Sequence, residues 1–89
     1  MPYVNPSLRK ALDPYINPLI HELLEWKRGD GEVNYVITKI INEVYNKDAN
    51  YAKLNRAIGV LECVLLEFYR RVVVPYEISK LQENGDVYK

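Results

Sequence analysis

The chain reads as an all-α protein, a small helical bundle with one long C-terminal helix and self-association into a homo-oligomer. Three observations predict this. Apolar residues recur at three- and four-residue spacing through most of its 89 residues, and period-two alternation is absent. Asparagine or aspartate precedes proline at Asn5-Pro6, Asp13-Pro14 and Asn17-Pro18, the pairing of a capping side chain with a helix-opening residue. The segment from Tyr51 to Val74 is apolar on nearly every side, more than so short a chain can cover by itself.

Taken in order, Pro6 is expected to open a short helix, Ser7 to Leu12, which Pro14 ends. Asn17-Pro18 then opens a second helix through about Lys27, with Leu19, Ile20, Leu23 and Leu24 on its apolar face. Lys27, Arg28 and Gly29 form its expected end, cations and a left-handed glycine suiting a helix C-terminus. Asp30-Gly31 is read as turn and cap for a third helix carrying Val33, Val36, Ile37, Ile40, Ile41, Val44 and Tyr45. Valine and isoleucine favour strands, but the three–four spacing decides for helix. Residues 46–50 make a polar turn, with Asp48 or Asn50 as the next cap.

In the long helix, Leu54, Ile58, Leu61, Leu65, Phe68 and Val72 fall in one narrow stripe, expected to seat it on the core. Pro75 should kink or end this helix, because it lacks an amide hydrogen and crowds the preceding turn. Helix can resume from Tyr76 to Glu83, and Asn84-Gly85-Asp86 ends it. Val87-Tyr88-Lys89 is a tail. With no repeat, linker or low-complexity stretch, the chain is read as one domain, 1–89.

Composition narrows the function. Twelve basic and twelve acidic residues cancel, which argues against nonspecific nucleic-acid binding and against charge-driven membrane attachment. No run of apolar residues is long enough to span a membrane. A single cysteine, Cys63, excludes an intrachain disulfide; with no signal-like N-terminus, a reducing cytoplasm is expected. Eight tyrosines against one phenylalanine suit interfaces and half-buried pockets, or the edges of a small core.

No catalytic set is visible, and the chain is read as no enzyme, with no cofactor and no metal. His21 is the only histidine and is read as a surface or boundary residue. Metal binding needs several ligands, and His21 and Cys63 are far apart. Cys63 is expected to be a buried small residue. Two features remain. Ala52, Gly59 and Cys63, with Glu67, lie opposite the core stripe, and small residues there let another helix approach closely. These four are the candidate oligomer interface, the alternative being a tight contact within the chain. Arg56, Arg70 and Arg71 sit on a largely apolar helix, where an unpaired charge is costly once covered. They are read either as an Arg–Glu network across an interface or as an anion site, in which Tyr69 and Tyr76 supply stacking surfaces.

The strings Asn55–Cys63 (NRAIGVLEC), Glu67–Glu77 (EFYRRVVVPYE) and Glu83–Tyr88 (ENGDVY) resemble a family of small proteins of tailed phages and prophages, over about residues 30–88. The resemblance implies a phage protein acting in the cytoplasm of a bacterial host. In size, helix content and self-association the chain is also similar to phage sponges, which sequester nucleotide immune signals. That implies an anti-defence protein capturing a cyclic nucleotide or an ADP-ribose-type signal. The alternative is a structural or host-protein-binding adaptor.

Overall fold

The computed structural model describes residues 2–26 and 29–88, and every regular element among them is helical. They are α1 (Pro6–Glu25), α2 (Asp30–Tyr45), α3 (Tyr51–Phe68), a π-helical turn (Tyr69–Val73) and α4 (Val74–Asn84). By internal contacts the chain divides into two units, Pro2–Ala57 and Ile58–Lys89.

In the first unit, α1 starts where the sequence says it should. Pro6 stands in the first turn, and the Asn5 side chain accepts from the Ser7 amide at 2.8 Å and from the Ser7 hydroxyl at 2.7 Å. It does not stop where expected. Pro14 and Pro18 both lie inside one 20-residue helix, so the two predicted short helices are one. The physical reason is phase. Pro14 and Pro18 are four residues apart and share a face with Ser7, Lys10, His21 and Glu25, all exposed. The carbonyls of Lys10 and Pro14, which lose their donors, therefore lie on the polar side of the helix, where water replaces the missing bonds. His21 Nε2 and Glu25 Oε2 stand 4.0 Å apart on that side.

The expected helix end at Lys27 and Arg28 lies outside the described residues. Gly29 is not the left-handed terminator of α1. Its φ is −84°, and it caps α2, its amide donating to Glu32 Oε2 at 3.0 Å. Asp30 is thus already helical rather than the cap. The Glu32 carboxylate satisfies an orphan donor and sits at the positive end of the helix dipole, which makes this the better start. The turn before α3 follows the sequence reading: Asn50 Oδ1 accepts from the Lys53 amide at 2.8 Å, and Asp48 takes φ +52°.

Pro75 neither ends the long helix nor leaves it regular. The amide of Val74 bonds to the carbonyl of Tyr69, five residues back, and α4 continues without a break in helix. Proline cannot donate to the Arg71 carbonyl and crowds it; widening the preceding turn by one residue removes the clash while keeping the chain helical.

Burial differs from expectation along α3. Ala57 is the only buried side chain among the described residues, at 5% exposure. The stripe predicted to face the core is open: Leu54 is 46%, Ile58 55%, Phe68 59% and Leu65 64% exposed. Cys63, expected to be buried, is exposed with a free thiol. The spacing is helical, but the burial it implied is not met at these positions.

Candidate functional site

A concavity lies in the second unit, along α4. Val74, Ile78 and Leu81 follow four–three spacing and form one apolar face. Gly85 ends the helix with φ +87°, a conformation that side chains rarely adopt, while its amide donates to the Leu81 carbonyl at 2.8 Å. Asp86 Oδ1 then accepts from the Tyr88 amide at 2.8 Å, an Asx turn that shapes the tail. The result is a groove of about 410 Å³, floored by the α4 aliphatics and flanked by Tyr69, Val87 and Tyr88.

The π turn is what brings Tyr69 to this groove. In an unbroken α-helix Tyr69 and Glu77 would be offset by about 80° around the axis. A π turn advances about 82° per residue instead of about 100°, which reduces the offset to about 10°. The Tyr69 hydroxyl accordingly donates to Glu77 Oε1 at 3.2 Å. That hydrogen bond, with the charge of the same carboxylate, raises the Tyr69 phenol above its ordinary range. Glu77 and Asp86 give the groove two carboxylates. Lys80 also lines it, but its ammonium stands 5.7 Å from the centre of the Tyr76 ring and 3.6 Å from Glu83 Oε2. The chemistry available is apolar and aromatic contact with an acidic edge.

Of the five candidate ligand residues, only Tyr69 lines the groove. Tyr76 carries Lys80 over its ring. Arg70 pairs with Glu67 within its own helix, Nη2 to Oε2, three residues apart. Arg56 and Arg71 are exposed and have no acidic partner among the described residues. Within the second unit, Arg70, Arg71 and Tyr76 do not join Tyr69 in lining the groove. On the small-residue face, Ala52, Gly59 and Cys63 are exposed, and a Cβ at Gly59 would meet nothing within 4 Å. Glu67 is the exception, its side chain 16% exposed beside Arg70. Sequence reasoning missed Glu77, Val87 and Tyr88. The signal was present in the proline at 75, which sets the π turn, and in Gly85-Asp86, which shapes the tail.

Among the described residues no three His, Cys, Asp or Glu side chains are placed to hold a metal ion, and no helix is long and apolar enough to cross a membrane. Neither the curated proteins nor the solved structures include a significant match to this chain. A family model matches residues 1–87. That span is nearly the whole sequence, and the chain belongs to the family described as "Domain of unknown function (DUF6899)".

Proposed function

We propose that the protein works without catalysis, as a self-assembling helical module whose core forms between chains. One observation carries this: large apolar side chains stand open along α3 while only Ala57 is buried among the described residues. Fully burying such a side chain contributes about 1.5–3 kcal/mol, so leaving most of the stripe in water forgoes much of the stability a domain of this size needs. Light scattering at micromolar concentration is the test. A mass above one chain supports the reading, and a well-folded monomer overturns it.

A second reading, capture of a nucleotide-derived anion, is favoured by Arg56 and Arg71, two exposed guanidinium groups with no acidic partner among the described residues. Arginine forks match phosphate geometry. The phage origin, the bacterial cytoplasm and the sponge role rest on resemblance, and the acidic edge of the groove disfavours phosphate there. Capture would instead fall to the arginine-bearing faces of an assembled particle. Thermal shift against cyclic dinucleotides, cyclic trinucleotides and ADP-ribose derivatives tests it. A ligand at a hundred times its Kd stabilises by about 2.7 kcal/mol, whereas an adaptor shows no shift.

A further inference from the structure

We infer that the groove along α4 binds an organic cation, a protonated amine carried on a compact apolar body. Such binding needs no second chain, since the lining residues all belong to the second unit of one chain. Size and floor favour a small molecule. The volume of about 410 Å³ falls within the roughly 300–1,000 Å³ of small-molecule sites. Val74, Ile78 and Leu81 floor the groove and stand 36%, 50% and 45% exposed, which leaves apolar surface for a ligand body to cover.

Charge decides between a cation, a neutral molecule and an anion. Glu77, Lys80 and Asp86 are the charged side chains of the lining. The Lys80 ammonium is already drawn to Glu83 and to the Tyr76 ring. Glu77 and Asp86 have no cationic partner among the described residues. One oxygen of each is engaged, Glu77 Oε1 by the Tyr69 hydroxyl and Asp86 Oδ1 by the Tyr88 amide. A carboxylate offers about four acceptor sites, so both keep room for further donors. A neutral apolar ligand would cover two carboxylates without balancing them, and an anion would be repelled by both. An ammonium group brings three donors and the missing charge. The rings of Tyr69 and Tyr88 flank the same space, and their electron-rich faces attract a cation. The two phenols are near enough for the charge of one to act on the other.

Phenethylammonium is the probe, with phenylethanol and phenylpropionate as its neutral and anionic counterparts. Binding is read on the full chain by NMR of carbon-13 tyrosine. Millimolar phenethylammonium should shift Tyr69 and Tyr88 saturably, phenylethanol more weakly, and phenylpropionate not at all. Glu77→Gln and Asp86→Asn each remove one charge and keep a carbonyl oxygen for the same hydrogen bond. Each should weaken binding about tenfold, with circular dichroism unchanged. Glu43→Gln, on α2, should leave binding as it is. Equal binding of the amine and the alcohol overturns the assignment, as does binding that neither groove variant weakens. The absence of any saturable shift overturns it too. Shifts that follow protein concentration without ligand give the groove to a second copy instead. Shifts with an acetylated leucine–lysine–leucine peptide but not with phenethylammonium give it to a protein partner.

Discussion

Replacing Pro75 by alanine should convert the π turn into α-helix, and the consequence can be followed at one phenol. Alanine restores the amide that proline lacks, so residue 75 can bond to the Arg71 carbonyl and the ring no longer crowds it. The gain is one backbone hydrogen bond, about 1 kcal/mol net, together with relief of the proline constraint. For a chain of this length about 1 kcal/mol raises Tm by roughly 4–8 °C. The geometric effect is larger. Tyr69 would swing from about 10° to about 80° away from Glu77, and the 3.2 Å hydrogen bond would be lost. The Tyr69 phenol, now held above its ordinary range by that carboxylate, should return to the usual value for tyrosine. Tyrosine labelled with carbon-13 and titrated by NMR resolves Tyr69 from the other seven tyrosines. Glu77→Gln is the control, removing the charge while leaving the turn. If Pro75→Ala melts higher yet Tyr69 still titrates high, proline is not the cause of the π turn and the account of how Tyr69 reaches the groove is wrong.

Other outcomes follow from single contacts. Asn50→Ala removes the cap at the start of α3 and should cost about 1 kcal/mol in urea unfolding, whereas Asn50→Asp should cost little. Gly85→Ala forces a side chain into positive φ and should destabilise by about 1–2 kcal/mol, the strain sitting at the groove rather than in the helix before it. Raising the pH should weaken the fold at Tyr69. Its folded pKa lies above the unfolded one, so its contribution is complete below about 10 and is lost as pH rises through the folded value. Tyr69→Phe should abolish that alkaline component, and an unchanged pH profile would show that the bond to Glu77 contributes nothing.

What the sequence made legible was local. The Asn5, Asn50 and Gly85 helix ends each depend on contacts within four residues, and each is where the pattern puts it. The continuity of α1 is not legible from Pro14 alone, which reads as punctuation. Its phase, on the same face as Lys10 and His21, held the better answer, since a lost amide bond matters less where water replaces it. The π turn is not legible in the sequence because a wheel drawn at constant pitch cannot show one extra residue, and the phase drifts from Tyr69 onward. That misplaced Val72 and concealed the alignment of Tyr69 with Glu77. The arginines were read as a group because they share an apolar helix. The structure instead ties Arg70 to a neighbour three residues away, a pairing the sequence spacing already permitted.

The two internal prolines of α1 have a consequence for crowding. They leave a pair of bare carbonyls on one side of an otherwise regular rod, and these must stay hydrated. An apolar neighbour pressed against that side would strip the water and leave two acceptors stranded, a penalty of about 1–3 kcal/mol for each. The prolines therefore act as a keep-clear strip. Whatever covers the leucine-bearing flank of α1, the proline flank is reserved for solvent, and α1 can take only an outermost place in any larger particle.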